Sequence, residues 1–136
     1  NEIDFSKGRF DNQLEFGWYD IEAGKYRWMA KNAEVTLGRP ESVFNTDRYL
    51  LVITGWALLD YYQPKRLEVA VNVNNQNLAA NTIIKNGNFT IEFEVKGILP
   101  DIVKVNIQLN QSFIPSKVKK SVDDRELGLM ILSGLF

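Results

Sequence analysis

The sequence contains neither cysteine nor histidine among its 136 residues. Without cysteine, the chain has no disulfide, no thiolate metal ligand and no cysteine nucleophile. Without histidine, it lacks the commonest general base, the commonest zinc ligand and the Ser-His-Asp arrangement. An enzyme built on this chain would depend on carboxylates, lysines or tyrosines alone, so we expect a protein without catalytic activity.

The sequence also lacks an excess of charge of either sign, and it has no long apolar run. The 16 basic and 17 acidic residues are interleaved and leave a formal net charge of -1. This balance gives no reason to expect a nucleic-acid partner or a membrane-surface partner, since both favour a basic face. No apolar run approaches the roughly 18 residues that span a bilayer, so membrane insertion is not expected. A hydrophobic content of 45% is enough for one core.

The strongest local pattern is alternation of apolar and polar residues with a period of two. Because successive side chains of a strand leave opposite faces of a sheet, this pattern predicts half-buried strands. Three segments show it: Leu67 to Val73, Phe89 to Val95 and Val103 to Leu109.

Two other segments, 49–59 and 127–136, are apolar at consecutive positions. They predict central strands covered on both sides, or strands with one face under a loop. Trp56, in the middle of the first segment, is predicted to lie in the core, and Gly55 beside it indicates a bulge or a close backbone approach. At most a short turn of helix is expected, at 122–127. Shorter strands are expected at 15–22, 26–30 and 33–37.

About eight or nine strands without intervening helices predict an all-β fold, with two antiparallel sheets packed face to face as a β-sandwich. Residues 1–13 are polar and are interpreted as a lead-in segment, and residues 14–136 as one β-sandwich domain. The chain begins without an initiator methionine or a signal-peptide pattern, so we expect a segment of a longer protein.

Aromatic residues form the first candidate site. Flat rings pack against the apolar faces of sugars while neighbouring polar groups bind the hydroxyls, but large rings also fill the cores of sandwiches. Tyr61 and Tyr62 precede Gln63 and Pro64 at a strand end, where at least one ring must lie near solvent. The candidate rings are Trp18, Tyr19, Tyr26, Trp28, Trp56, Tyr61 and Tyr62.

Charged and amide residues form the other candidates. Asp123 and Asp124 could bind calcium or act as an acid/base pair, but an Arg125–carboxylate bridge that fixes the loop to the body is favoured. Arg27, at the edge of a sandwich, needs an acidic partner, for which Asp124 is a candidate. The asparagine-rich segment 72–81 is either a hydrogen-bonding face for a polar ligand or a turn region.

The segment GWYDIEAGKYRWMAKNAEVTL (residues 17–37) resembles the start of β-sandwich domains appended to bacterial glycosyltransferases and sugar-pathway methyltransferases. Those domains begin with G-aromatic-Tyr, Glu, a turn and Arg-Trp. Residues 112–129 are similar to the "F-x-P … D-x-R-x-L-G" ending of that group. Residues 71–74 resemble its "V-x-V-N-G" turn, with Asn75 where glycine is usual.

The resemblance implies a jelly-roll, galactose-binding-like sandwich that acts as a non-catalytic carbohydrate-binding accessory module. Its implied partners are an oligo- or polysaccharide and the catalytic domain of a parent enzyme. Separately from the resemblance, we expect a cytoplasmic location and no cofactor apart from the structural calcium considered above. The candidate carbohydrate-binding residues are Trp18, Tyr19, Arg27, Trp28, Tyr61, Tyr62, Asp124 and Arg125.

Two other functions remain open. The apolar segment 127–136 fits a structural docking or homo-oligomerisation domain that binds no sugar. A hydrolase that uses Asp123 or Asp124 with another acid is the least favoured, for want of histidine or a recognisable motif.

Overall fold

The computed structural model describes residues 2–4, 13–22, 24–39, 48–97 and 99–135. The predicted lead-in at 1–13 therefore lies mostly outside the described residues. Within them, the chain forms ten strands and one short helix: β1 (Glu2–Asp4), β2 (Leu14–Glu22), β3 (Tyr26–Gly38), β4 (Arg48–Ala57), β5 (Leu67–Val73), β6 (Gln76–Asn77), β7 (Asn81–Ile83), β8 (Gly87–Lys96), β9 (Ile102–Leu109), α1 (Pro115–Val118) and β10 (Met130–Leu135).

All pairings between these strands are antiparallel, and they connect the strands into one sheet. The order is β6-β5-β9-β3-β10-β4-β8, with β2 on the other edge of β3, β7 beside β5 and β1 beside β10. The prediction of an all-β antiparallel fold is therefore confirmed. The described strands form one continuous sheet, so the finer prediction of a two-sheet jelly roll is not confirmed.

The sheet curls because one edge of β3 has two different partners. Its first part pairs with β10 at Arg27 and Trp28, and its second part pairs with β9 from Asn32 to Gly38. As a result, side chains of β4 and β9 face the same interior. Residues of both strands line one small cavity of about 10 Å³ together with residues of β3 and β10: Val35, Leu37, Leu51, Ile53, Val105, Ile107, Ile131 and Gly134.

The three alternating segments form β5, β8 and β9, as predicted. In β5, Leu67, Val69, Val71 and Val73 are all buried, while the residues between them are more exposed. Burial of one apolar face at about 25 cal/mol per Å² is the main driving force for such strands. The polar face of β5 and β9 is left open to solvent, and this is the face that carries the amide side chains described below.

Three predictions drawn from the local sequence pattern are wrong. Residues 26–30 and 33–37 form one strand, β3, since the chain stays extended while its pairing passes from β10 to β9. Trp56 is 38% exposed because β4 has solvent on its outer face. The short helix forms at Pro115–Val118, whose proline suits a helix start, and not at 122–127.

At Gly55 another backbone, that of Met130, approaches closely, as predicted. A Cβ atom at this position would overlap the backbone oxygen of Met130 on β10 and would lie 2.7 Å from the ring of Phe89 on β8. The described residues include no helix that is long and apolar enough to cross a membrane.

Candidate functional site

The segment 110–129 holds or contacts most of the residues predicted for the site. Phe113 lies near its start, is buried and is surrounded by three predicted rings. The centroid of its ring lies 5.8 Å from that of Trp28, 5.2 Å from that of Tyr61 and 5.7 Å from that of Tyr62. Aromatic pairs at such distances stabilise a fold beyond their buried area. These four rings, the Phe113 cluster, fasten segment 110–129 to the sheet.

Tyr62 is the most deeply buried ring of the Phe113 cluster, with 1% of its surface exposed. Its hydroxyl donates a hydrogen bond to the backbone oxygen of Gly128 at 2.8 Å. Burial, with a smaller contribution from the charge of Glu126, raises the pKa of the Tyr62 phenol well above its ordinary value. The phenol therefore stays protonated and serves as a hydrogen-bond donor inside the fold.

Arg125 joins the same segment to strand β2. Its guanidinium forms an ion pair with Asp123 at 2.8 Å and another with Glu22 at 2.7 Å. The guanidinium also lies 5.3 Å from the centroid of the Tyr19 ring. The hydroxyl of Tyr19 donates a hydrogen bond to the backbone oxygen of Glu126 at 2.9 Å. The predicted Arg–carboxylate bridge that fixes the loop to the body is confirmed.

The predicted pairing of Arg27 with Asp124 is wrong. The backbone nitrogen of Ser116 donates to the backbone oxygen of Asp123 at 2.8 Å, and this closes the loop so that Asp124 lies beside Ser116. Asp124 Oδ1 accepts a hydrogen bond from Ser116 Oγ at 2.5 Å. Arg27 is buried, and its Nη1 donates to the backbone oxygen of Tyr19 at 3.1 Å.

Burial separates the predicted sugar-binding residues into three groups. A ring that packs against protein does not offer the open flat face on which a sugar stacks. The structure thus brings most of these residues together as a fastening between segment 110–129 and the sheet. Trp18 and Arg27 instead donate hydrogen bonds between β2 and β3, Trp18 to the backbone oxygen of Glu34 at 2.8 Å and Arg27 to that of Tyr19. The role of all eight residues in sugar binding stays a prediction. Arg27, Trp28 and Tyr62 are buried; Trp18, Tyr19, Tyr61 and Arg125 are half-buried; Asp124 is exposed.

The Asp123–Arg125 pair predicts an acid-dependent loss of stability. Hydrogen bonds from the Arg125 side chain and backbone lower the pKa of the Asp123 carboxyl to about 2, from an ordinary value of 3.8. A carboxylate with a lowered pKa stabilises the fold above its unfolded pKa, and this contribution is lost as the pH falls through the folded value. We expect the free energy of unfolding to fall less steeply from pH 4 to pH 2 in Asp123→Asn than in the wild type.

Urea denaturation at half-unit pH steps would measure this difference. In an Arg125→Met background, the Asp123→Asn change should alter the pH dependence much less, because the side-chain donors are gone and only the hydrogen bond from the backbone nitrogen of residue 125 to Asp123 remains. Equal slopes for the wild type and Asp123→Asn would contradict the expectation.

A second group of polar residues meets on the outer face of β3, β5 and β9. In the register of the sheet, Asn72 of β5 lies beside Asn106 of β9, and Asn106 lies beside Glu34 of β3. Gln108 of β9 lies in the neighbouring row, between Ala70 of β5 and Asn32 of β3. Residues opposite each other on paired strands project from the same face. Amide and carboxylate side chains from three strands therefore stand next to one another.

These residues line an open depression of about 410 Å³, which we call the amide groove. Glu34 is the only ionisable group among the described residues that line it. The full lining consists of Glu34, Ala70, Val71, Asn72, Asn75, Asn77, Leu78, Asn106 and Gln108.

The wall of the amide groove at the sheet edge is a tight hairpin between β5 and β6. Asn74 and Asn75 both have positive φ, 46° and 71°, as a two-residue hairpin turn requires. Asn72 Oδ1 accepts a hydrogen bond from the backbone nitrogen of Asn75 at 2.8 Å, and its Nδ2 donates to Asn77 Oδ1 at 2.6 Å. The turn interpretation of segment 72–81 is confirmed, and the same asparagines also line the groove.

Phe16 is an aromatic residue that the sequence did not single out. It pairs with Glu34 in the register between β2 and β3, and 47% of its surface is exposed. The row Asn72, Asn106, Glu34 therefore ends at an exposed ring. Nothing in the local sequence marks Phe16, because only the pairing of β2 with β3 brings it beside Glu34.

No metal centre is found in the described part of the chain, where no three acidic side chains lie close enough together to hold an ion. Asp123 and Asp124, the residues considered for calcium, instead hydrogen-bond to Arg125 and Ser116.

Comparison of the chain with protein-family models, with curated proteins and with solved structures finds no match.

Proposed function

We propose that this domain is a non-catalytic carbohydrate-binding module whose ligand lies in the amide groove. The observation that carries the proposal is the convergence of Asn72, Asn106, Gln108 and Glu34 from three strands on one open depression. Primary amides both donate and accept hydrogen bonds, and so do sugar hydroxyls. A face rich in amides therefore suits a ligand rich in hydroxyls.

The groove also offers apolar surface for the C–H faces of a sugar ring. Leu78 and Ala70 line it, and the exposed ring of Phe16 stands at the end of its central row. Because each hydrogen bond to the sugar replaces one to water, the net gain per contact is about 0.5–1.5 kcal/mol. The expected affinity is accordingly modest, as is usual for an open site with few contacts.

The wider setting is proposed on the sequence resemblance. In this proposal, the domain is an accessory module of a bacterial, cytoplasmic glycosyltransferase-type or other polysaccharide-processing enzyme, and it lies beside that enzyme's catalytic domain. A jelly-roll, galactose-binding-like arrangement belongs to the same proposal. It is supported by the way in which side chains of β4 and β9 face one interior.

Asn106→Ala should weaken glycan binding by about 3- to 10-fold, the equivalent of one lost hydrogen bond. Asn106 is half-buried at the centre of the groove, and its Nδ2 donates only to the Asn32 side chain at 3.0 Å among the described residues. We expect the variant to fold normally. A glycan array would identify the ligand, and isothermal titration calorimetry with the best hit would give the affinity.

Asn88→Ala is the matched control, because Asn88 is an exposed amide on β8, outside the groove. It should bind like the wild type. Silence across the array with a folded wild-type domain would count against a carbohydrate module, as would equal losses in Asn106→Ala and Asn88→Ala.

A docking or oligomerisation domain is the second candidate. Most of the apolar residues at 127–131 are buried inside the curled sheet, so the support that this segment gives to docking is limited to Met130 and Leu132. The observation that favours it is an apolar cleft of about 370 Å³ lined by Lys25, Tyr26, Trp56, Met130 and Leu132. Concentration-dependent association that Trp56→Ser abolishes, together with unchanged glycan affinity, would support this second candidate.

A further inference from the structure

The amide groove does not end at Asn106. A second depression of about 410 Å³ lies beside it, lined by Ala30, Lys31, Asn32, Gln108, Leu109 and Glu126. Gln108 belongs to the lining of both depressions. The two depressions are therefore neighbours on one face of the sheet.

A hydrogen bond connects the two depressions across β3 and β9. Asn106 Nδ2, in the first depression, donates to Asn32 Oδ1, in the second, at 3.0 Å. The rows that contain Asn106 and Gln108 are two residues apart along β9, which corresponds to about 7 Å. Adjacent polar sites at this spacing suit successive rings of a linked chain better than one isolated ring.

The charges along this surface are unevenly placed. In the first depression, Glu34 is the only ionisable group among the described lining residues. In the second, Lys31 and Glu126 occur together, and the Glu126 carboxylate accepts a hydrogen bond from the Lys31 backbone nitrogen at 3.1 Å. Further along the same face lie Lys104 on β9 and Glu68 on β5.

A carboxylate on a sugar seated in the first depression would approach Glu34 without a cation in the lining to offset the repulsion. At contact distance, such repulsion is sufficient to discriminate between ligands. A neutral sugar in the same position meets only amides, apolar groups and one hydrogen-bond acceptor.

We propose that the two depressions form one extended groove that takes several consecutive units of a neutral oligosaccharide and rejects its acidic counterpart. This inference rests on the proposed function, since it specifies the ligand of the same groove. Binding strength depends on chain length through the second depression, and selectivity against acidic sugars depends on Glu34.

The test uses neutral β-linked glucose, mannose and galactose oligosaccharides of two, four and six units, with the same hexamers oxidised at C6 to uronic acids. For the neutral series that binds, the hexamer should bind about 10-fold more tightly than the dimer. The oxidised hexamer should bind about 10-fold more weakly than the neutral one at low salt. Calorimetry or titration monitored by NMR would give these affinities.

Two variants separate the parts of the inference. Asn32→Ala should reduce the affinity for the hexamer and leave that for the dimer nearly unchanged. Glu34→Gln should narrow the difference between neutral and oxidised hexamers to less than about 3-fold and preserve binding of the neutral hexamer.

Each failure has a distinct meaning. If no oligosaccharide binds, or if Asn106→Ala binds like the wild type, the proposed function is wrong and the extended groove falls with it. If Asn106→Ala loses affinity but the dimer binds as tightly as the hexamer, the carbohydrate module stands and the extended groove is wrong. If Glu34→Gln leaves the neutral-to-oxidised ratio unchanged, the charge selectivity is wrong.

Discussion

Phe113→Ala should lower the free energy of unfolding by about 3–5 kcal/mol, the usual cost of removing a buried phenylalanine ring. Only 5% of the Phe113 surface is exposed, and its ring contacts those of Trp28, Tyr61 and Tyr62. The substitution would leave a cavity at the centre of the Phe113 cluster. It would also release the side-chain packing that fastens segment 110–129 to the sheet.

Urea denaturation followed by tryptophan fluorescence would measure the effect, since Trp28 belongs to the cluster. Phe16→Ala is the matched control: it removes the same side chain from a site that is 47% exposed. We expect it to cost about 0.5 kcal/mol, as is usual for surface substitutions. A loss below about 1.5 kcal/mol in Phe113→Ala would show that the cavity collapses, because full retention of the cavity costs more.

The same cluster affects how binding experiments should be designed. Trp28→Ala and Tyr62→Ala remove buried rings that contact Phe113, so any loss of glycan binding in them would be confounded by a loss of stability. Asn106 and Phe16 lie on the solvent side of the sheet. Variants at these two residues test the groove and leave the core intact.

Gly55→Ala should lower the free energy of unfolding by about 3 kcal/mol, at the upper end of the range for overpacking. The new Cβ atom would overlap the backbone oxygen of Met130 and would lie 2.7 Å from the Phe89 ring. A flexible side chain could move away, but the backbone of β10 is held by pairing on both of its edges. The clash therefore has to be relieved by separation of β4 from β10.

Gly24→Ala is the control for this prediction. Gly24 lies in the turn between β2 and β3 with φ of 60°, and a Cβ atom there would have no neighbour within 4 Å. Its cost should be only that of the left-handed conformation, about 1 kcal/mol. If chemical denaturation finds Gly55→Ala no more destabilised than Gly24→Ala, then β4 and β10 can part locally at little cost.

The sequence predicts individual strands well where one face of the strand is buried and the other is exposed to solvent. Val69 and Val71 alternate with polar residues in β5, and the structure buries both. The pattern is less informative where apolar residues are consecutive. The apolar run around Trp56 predicts a core position, but its side of β4 faces solvent. Hydrophobicity alone does not show which face a neighbouring element covers.

The candidate site is harder to predict because it depends on strand order. Asn72, Asn106 and Glu34 are far apart in the chain and become neighbours only because β9 lies between β5 and β3. Local periodicity places each of these residues on the polar side of its strand but contains no information about pairing. The asparagine content of segment 72–81 indicates a candidate hydrogen-bonding face, whereas no sequence pattern indicates Glu34, Gln108 or Phe16.

The position of β10 also has a consequence for how the chain reaches its fold. β10 is the last of the described strands along the chain, yet it lies between β3 and β4 and also pairs with β1. During synthesis, the pairing that joins β3 to β4 through β10 therefore cannot form until residues 130–135 have emerged from the ribosome. Because closing such distant pairs costs loop entropy, we expect folding in milliseconds to seconds, as is usual for sheets with non-local pairing. Until then, β3 and β4 each keep unpaired backbone N–H and C=O groups along one edge, and such edges promote aggregation during folding.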